Sequence, residues 1–310
     1  MNLTNKKILV TGASGFIGFH LCQRLRASGG IVHAVSRKPT VSGSEDLIWW
    51  ARDVAEINAV RELFEKIKPD FIYHLASHVM GAPSLEHVLP TFRNNLLTSV
   101  NLLTAAAEFG CGRLVLTGSL AEPEQEKGEN FPSAPYAAAK WASSAYGRMF
   151  HALYGVPVVL ARVFMVYGPA QKDLSKLVPY VILSILRGEA PEITSGKRLL
   201  DWIYVDDVID GYLSLAEIDG IEGATVEIGS GQLTTIREIV SRIADLMGSR
   251  VSPQFGVLPD RPMEPVRIAD VAKTYRQIGW KPATSLDAGL RKTINWYRDH
   301  FDELTMPNRV

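Results

Sequence analysis

The sequence predicts an α/β fold with a doubly wound parallel sheet. Short apolar runs typical of strands alternate with longer runs in which apolar residues recur at helical spacing. A glycine-rich turn at residues 12–18 lies between the first strand-like run and the first helix-like run. Strands that alternate with helices form parallel βαβ units with right-handed crossovers, and this predicts the doubly wound arrangement.

The bulk composition is that of a globular protein. The chain has 310 residues, 46% hydrophobic and 21% charged, which suffices for one large domain or two closely packed ones. Lysine plus arginine and aspartate plus glutamate both number 33. Because no net charge attracts nucleic acid or an anionic membrane, neither is expected as a partner.

The sequence favours a cytoplasmic location. The first seven residues lead into a strand without the apolar run of a signal peptide, and 18 consecutive apolar residues occur nowhere. Cys22 and Cys111 have no CxxC partner, so we expect two buried, reduced thiols and no structural zinc.

The glycine-rich turn follows the strand-like run Lys7 to Val10 and predicts a dinucleotide site. Gly12 permits a tight turn, Gly15 lets the backbone approach a pyrophosphate, and Gly18 lets the helix pack on the strand. The phosphates would bind at the helix N-terminus, where free N–H groups and the helix dipole favour anions. An ordinary glycine turn is the alternative, which the flanking strand and helix disfavour. The predicted contacts are Gly12, Ser14, Gly15, Phe16, Ile17 and Gly18.

The second strand, Ile31 to Val35, ends in Ser36, Arg37 and Lys38. A carboxylate at this point would bind a free ribose 2′-hydroxyl, whereas one hydroxyl and two cations suit a 2′-phosphate. The sequence therefore favours NADP(H) over NAD(H). The alternative is that both cations are solvated loop charges.

Two further strands complete the first half of the sheet. They are predicted at Leu47 to Ala51 and at Phe71 to Ala76, with a helix at Ile57 to Ile67 between them. Ligands bind at the carboxyl ends of strands in such sheets. Further cofactor contacts are accordingly predicted at Asp53, Val54, Leu75, Ala76 and Ser77.

The next segments bring candidate catalytic residues to the same edge. One helix is predicted from Phe92 to Phe109, and the strand Arg113 to Thr117 delivers Ser119 to its carboxyl end. The acidic segment Glu122 to Pro135 is predicted to be a surface loop.

Tyr136 and Lys140 begin an alanine-rich helix that continues to about Tyr154. A spacing of four places the two side chains on the same helix face, one turn apart. His74 and His78 have the same spacing, but one lies in a strand and the other in a loop. No metal site is therefore predicted.

Five motifs, together with the C-terminal segments 258–270 and 278–300, resemble the extended short-chain dehydrogenase/reductase superfamily, in its nucleotide-sugar epimerase, dehydratase and reductase group. The motifs are TGASGFIG at 11–18, TGS at 117–119, YAAAK at 136–140, ARVFMVYGP at 161–169 and LLDWIYVDDV at 199–208. The resemblance spans almost the whole chain and implies a Rossmann-type sheet with a smaller mixed C-terminal substrate lobe. It implies domain boundaries of 1–168 with 201–231 for the dinucleotide domain, and 169–200 with 232–310 for the lobe.

The resemblance also implies the chemistry. Tyr136 would exchange a proton with a substrate oxygen, Ser119 would bind the same oxygen, and Lys140 would hold the nicotinamide ribose. Lys140 and the positive nicotinamide are expected to lower the pKa of Tyr136 from about 10. Arg261 would bind the substrate diphosphate. A homodimer built from the two long helices is expected by the same resemblance.

The sequence departs from the group's pattern at four residues. The acid that dehydratases carry directly after the catalytic hydroxyl is replaced by Leu120 and Ala121, which disfavours dehydration. Met165 and Leu200 replace an asparagine and an arginine of the group, although Arg198 lies nearby. The sequence thus predicts NADP(H)-dependent reduction of a 4-keto sugar in a nucleotide-activated hexose. The alternatives are a C4 epimerase with tightly bound NAD(P) and a non-catalytic dinucleotide-binding sensor or scaffold.

Overall fold

The computed structural model describes residues 3–38, 47–123, 131–260 and 266–305. By their contacts the chain divides into two units. The first unit is Met1–Val163, Ile209–Ile228 and Ala272–Trp280, and the second is Phe164–Val208, Gly229–Val271 and Lys281–Val310. The sequence places the corresponding divisions at residues 168, 201 and 231.

The first unit is built on a seven-stranded sheet, which confirms the predicted fold class. Every neighbouring pair is parallel, and the strand order is β10-β6-β5-β4-β1-β2-β3. The order reverses after β1, as in a doubly wound sheet. The strands are β1 Lys7–Thr11, β2 Ile31–Ser36, β3 Ile48–Ala51, β4 Phe71–His74, β5 Arg113–Ser119, β6 Val158–Val163 and β10 Thr225–Ile228.

Helices pack on both faces of this sheet because successive strand side chains point to opposite sides. Ile72 of β4 joins an apolar core with residues of three helices, whereas the neighbouring Tyr73 meets Tyr212 on the other face. The three helices are α2 Ile57–Ile67, α4 Thr98–Phe109 and α5 Pro135–Tyr154. The opposite face carries α1 Phe16–Ala27 and α7 Val205–Glu217, joined by the ion pair between Arg24 and Asp210.

The segment predicted as one helix from residue 92 to residue 109 consists of two pieces. A short 3₁₀ turn, Leu85–His87, and α3, Val88–Thr91, lead into a π-helix at Phe92–Leu97, and α4 then continues to Phe109. The expectation of a regular helix over Phe92–Leu97 is therefore wrong. A π-helix takes more residues per turn, so the side chains of Arg93, Asn94 and Asn95 project differently from those of an α-helix.

The second unit contains two small sheets and four helices among the described residues. β7 Met165–Tyr167 pairs parallel with β9 Leu199–Tyr204, and β11 Leu233–Thr235 pairs antiparallel with β9. The other sheet joins β8 Glu192–Ile193 to β12 Gln254–Phe255. The helices are α6 Leu177–Leu186, α8 Ile236–Met247, α10 Leu286–Asp299 and α11 Phe301–Thr305. Helix α9 Val271–Ile278 falls almost entirely in the first unit.

Asp201 in β9 connects three segments of the second unit. Its side chain is buried and accepts hydrogen bonds from the Ser230 N–H and hydroxyl at 2.6 and 2.7 Å. It also accepts from the N–H groups of Gly231 at 2.9 Å and Ala269 at 3.0 Å. This carboxylate therefore satisfies four donors at once.

Replacing Asp201 with alanine is expected to lower the free energy of unfolding by about 3 kcal/mol, because the four donors lose a charged acceptor. Urea unfolding would measure the loss. The control is Asp287→Ala, which removes an exposed ion pair with Arg242 in the same unit and should cost less than about 1 kcal/mol. An equal loss of unfolding free energy in the two variants would contradict the role of Asp201 as the shared acceptor of four hydrogen bonds.

Candidate active site

Two positions around the N-terminus of α1 accept only glycine, one in the turn after β1 and one in the first turn of the helix. Gly12 has a φ of 70°, and a Cβ there would lie 2.6 Å from the Ala76 nitrogen. A Cβ on Gly18 would run into the Gly12 carbonyl oxygen. Since backbone atoms cannot move aside as a flexible side chain can, both glycines are required sterically.

The same turn has the features of an anion site. Gly15 is the N-cap of α1 and donates to the Gly12 carbonyl at 2.9 Å, and the first turn of α1 carries no acidic residue. The positive end of the helix dipole is therefore not offset by a carboxylate of that turn. A Cβ on Gly15 would meet only the Gly12 oxygen, at 3.2 Å, so the side of the turn that a side chain would fill is free. These residues fit the pyrophosphate of a dinucleotide.

The π-helix at Phe92–Leu97 holds the loops that follow three strands of the sheet. Arg93 forms an ion pair with Asp53 after β3 at 2.9 Å, and Asn94 accepts a hydrogen bond from Arg37 after β2 at 3.1 Å. The Asn95 side chain accepts from the N–H of His78, after β4, at 2.6 Å. Sequence reasoning missed these three residues, and their periodicity offered no signal for them.

The other predicted cofactor residues lie at the carboxyl edge of the sheet. The Ser36 hydroxyl donates to the Lys38 carbonyl, which closes the loop after β2. The N–H of Leu75 donates to the Thr11 carbonyl at 3.2 Å, so the loop after β4 lies beside the end of β1. The Ser77 hydroxyl is buried and has no protein partner, which leaves it able to bind a ligand. Val54 follows β3 at the same edge. The structure thus brings the predicted cofactor residues to one edge of the sheet.

His74 lies inside the protein instead of facing a ligand. Its Nδ1 is 2.7 Å from the Thr11 hydroxyl, and its Nε2 is 3.3 Å from the Thr98 hydroxyl. Burial, with a smaller contribution from Lys140, lowers the pKa of His74 to about 3, so the ring is neutral. Among the described residues, no cluster of three His, Cys, Asp or Glu side chains could hold a metal ion.

Ser119, Tyr136 and Lys140 come together at the end of β5. The Tyr136 hydroxyl is hydrogen-bonded to the Ser119 side chain. The Lys140 ammonium donates to the Thr117 carbonyl at 2.9 Å and lies 5.9 Å from the Tyr136 ring centroid. Tyr136 lies in the first turn of α5 and Lys140 one turn later. The helix begins at Pro135, whose fixed φ suits the first helical position.

Burial dominates the electrostatics of this group. It raises the pKa of Tyr136 to about 12, opposed by the hydrogen bond to Ser119 and assisted by the charge of Glu122. Burial also lowers the pKa of Lys140 to about 8, which Glu122 partly opposes. Burial outweighs the hydrogen bond from Ser119, so the pKa of Tyr136 in the protein alone lies above its ordinary value. Tyr136 is protonated at neutral pH and can donate a proton.

Glu122 does not belong to a surface loop, contrary to expectation. Its side chain is 1% exposed, and one carboxylate oxygen accepts a hydrogen bond from the Ser119 N–H at 2.7 Å. The other oxygen lies 3.9 Å from the guanidinium of Arg162. Residues 124–130 of that predicted loop lie outside the described residues, and its last residue, Pro135, begins α5.

The predicted substrate residues of the second unit are described only in part. Arg261 lies outside the described residues, in the segment 261–265. Leu200, which replaces the arginine of the group, is buried in β9, and Met165 is half-buried in β7. Cys22 is buried, whereas Cys111 is only half-buried.

The fold and the site define an α/β enzyme that uses a dinucleotide. The defining features are the parallel sheet, the glycine turn after its first strand, and the group of Ser119, Tyr136 and Lys140 at the end of β5. The chain belongs to the NAD dependent epimerase/dehydratase family, whose model matches residues 8–229. This confirms the resemblance to the extended short-chain dehydrogenase/reductase superfamily, and the protein is an NAD(P)-dependent enzyme of that type.

Individual relatives cover nearly the whole chain. The dTDP-glucose 4,6-dehydratase of Haemophilus influenzae is 27% identical over 94% of this chain and 97% of that protein. The structure of UDP-glucose 4-epimerase from Thermotoga maritima, with UDP-glucose, has a TM-score of 0.86 at 26% identity, covering 95% and 99% of the two chains. MoeE5 in complex with UDP-glucose and NAD gives a TM-score of 0.84 at 31% identity, again covering 95% and 99%. In the described ranges, every helix is too short or too polar to cross a membrane.

Proposed function

We propose that this protein uses NADP(H) to reduce the 4-keto group of a nucleotide-activated hexose or deoxyhexose. The observation that carries the proposal is the position of Glu122, the first acid after Ser119. A dehydratase needs an acid that protonates a departing hydroxyl, but this carboxylate is buried and accepts the Ser119 N–H. Leu120 and Ala121 cannot replace it. Hydride transfer without elimination remains, and the cationic end of β2 favours reduction over C4 epimerisation.

NADPH supplies the hydride when it is bound. Tyr136 donates the proton to the carbonyl oxygen of the substrate, and burial supports this role because it keeps the phenol protonated. Ser119 donates a hydrogen bond to the same oxygen. Lys140 holds the nicotinamide ribose and contributes positive charge near the phenol.

The preference for NADP(H) rests on the end of β2. Arg37 is directed by Asn94, so its guanidinium is partly ordered before a 2′-phosphate binds. Ser36, Arg37 and Lys38 include no carboxylate that would repel that phosphate. Planar guanidinium groups pair well with phosphate oxygens. Gly12, Ser14, Gly15, Phe16, Ile17 and Gly18 would hold the pyrophosphate.

A C4 epimerase with tightly bound NAD(P) is the alternative. Several similar proteins are named epimerases, and solved neighbours are bound to NAD. An epimerase oxidises and then reduces one substrate while the cofactor stays bound, whereas a reductase must exchange its cofactor. Family membership gives no support to the non-catalytic sensor.

A homodimer and a diphosphate contact from Arg261 remain part of the proposal.

The state of the cofactor separates the two activities. For a reductase, we expect mass spectrometry to find little dinucleotide bound to the purified protein. In a fluorescence titration the protein should bind NADPH more tightly than NADH, and it should oxidise NADPH when given a 4-keto nucleotide sugar. A dinucleotide that survives gel filtration, with interconversion of C4 epimers, would establish the epimerase instead. Binding of neither dinucleotide would contradict both.

Replacing Arg37 with alanine is expected to raise the Kd for NADPH about ten- to a hundredfold, the value of one charge-assisted phosphate contact. The Kd for NADH should change less than about twofold, because NADH lacks the 2′-phosphate. The matched control is Arg61→Ala, another exposed arginine, which pairs with Glu108 on α4. An equal rise in the Kd for NADPH and for NADH would contradict a 2′-phosphate site at Arg37.

A further inference from the structure

We propose that Glu122 is a positioning residue for Ser119, because its buried carboxylate fixes the turn that holds the serine hydroxyl against Tyr136. The inference rests on the proposed function, since it assigns a task to a residue that acts through Ser119. The feature behind it is a carboxylate turned back into the fold three residues after the serine.

The carboxylate fills the space of a missing side chain. Gly118 of β5, Arg162 of β6 and Glu227 of β10 are register partners across three adjacent parallel strands. A Cβ on Gly118 would run into the Glu122 carboxylate. Glu122 therefore occupies the position beside Arg162 that a residue 118 side chain would take, and any larger residue at 118 would displace it.

The turn that follows β5 is closed by several hydrogen bonds around Ser119. The Glu122 N–H donates to the Ser119 carbonyl at 3.1 Å, while the Ser119 N–H donates to the Glu122 carboxylate at 2.7 Å. The Ala121 N–H donates to the Ser119 hydroxyl oxygen at 3.2 Å, so that oxygen is already oriented toward one side. The N–H of Leu120 donates to the Val163 carbonyl at 3.0 Å. Of these contacts, the charged one is expected to be the strongest.

The charge of Glu122 is only partly offset. Arg162 approaches it at 3.9 Å but makes its closer ion pair, at 3.1 Å, with Glu227. Among the described residues, the negative charge of Glu122 also raises the pKa of Tyr136 and of Lys140. Removing that charge lowers both pKa values, so the alkaline limit of reduction should move to lower pH.

Two substitutions separate the hydrogen bond from the charge. Glu122→Gln keeps an oxygen that accepts the Ser119 N–H, so kcat should fall less than about fivefold while the alkaline limb of the kcat–pH profile moves to lower pH. Glu122→Ala removes both the hydrogen-bond acceptor and the negative charge, and should lower kcat about ten- to a hundredfold. The KM and the Kd for NADPH should stay within about twofold in both variants, because Ser119 acts on the reacting oxygen.

The control is Glu227→Gln, which removes the other carboxylate partner of Arg162 without touching Ser119 and should keep kcat within about twofold. Serine-selective NMR adds a readout that needs no substrate. The Ser119 amide proton, assigned with Ser119→Ala, should move upfield in Glu122→Gln because the acceptor loses its charge.

The outcomes are distinguishable. An unchanged Ser119 amide resonance, or an unchanged kcat in Glu122→Ala, overturns the inference. A parallel loss of kcat and NADPH affinity also overturns it, since that pattern indicates a general structural role. A wild-type protein that binds NADPH but reduces no 4-keto nucleotide sugar counts against the proposed function, while the amide resonance still decides whether Glu122 holds Ser119.

Discussion

Replacing Tyr136 with phenylalanine should lower kcat about a hundredfold to ten-thousandfold while the Kd for NADPH stays within about threefold. The substitution removes one hydroxyl, which is hydrogen-bonded to Ser119, and leaves the ring in place. Because the pKa of Tyr136 is raised to about 12, the phenol carries its proton throughout the neutral range. It is therefore the group that can protonate a carbonyl oxygen as a hydride arrives.

Steady-state turnover and a fluorescence titration of NADPH would be measured on the same preparation. The matched control is Tyr146→Phe, which makes the same change at an exposed position of the same helix and should keep full turnover. Turnover by Tyr136→Phe within a factor of three of wild type would contradict the proton-donor role. It would also favour the non-catalytic use of the dinucleotide site.

Replacing Gly18 with alanine should weaken NADPH binding at least about a hundredfold, a loss of about 2.7 kcal/mol. The added Cβ would run into the Gly12 carbonyl oxygen and lie 2.9 Å from the Ala13 Cα. Both are backbone atoms, so the turn must move away from α1. Such a movement separates the backbone of the turn from the N-terminus of the helix, which together would hold the phosphates.

A control must separate this local effect from general instability. Gly248→Ala places a residue in a left-handed conformation, with a φ of 63°, but its Cβ would meet no atom within 4 Å. It should lower the free energy of unfolding by about 1 kcal/mol and leave NADPH binding unchanged. Wild-type affinity in Gly18→Ala would show that the turn is not the dinucleotide site.

The local order of the chain predicted much of the fold. β1, β2, α2 and β4 lie within two residues of their predicted positions, because apolar periodicity reports directly on which face of an element is buried. The positive φ of Gly12 and the close packing of Gly18 also agree with their predicted roles. Their contacts with a cofactor stay predictions.

The π-helix shows where periodicity fails. Apolar residues from Leu96 onward continue at helical spacing into α4, so the sequence indicates a single helix. The wider turn is supported by contacts with loops distant in sequence, such as Arg93 with Asp53 and Asn95 with His78. Side chains that bind distant loops leave no regular pattern along the chain.

The sequence by itself determined the alternation of strands and helices, the glycine turn, and the one-turn spacing of Tyr136 and Lys140, since each depends on neighbours along the chain. Only the tertiary structure decided that Glu122 is buried beneath Ser119 and that the Tyr136 pKa is raised. Burial and charge depend on residues from other strands. Arg162 becomes a neighbour of Glu122 only when β5 and β6 pair.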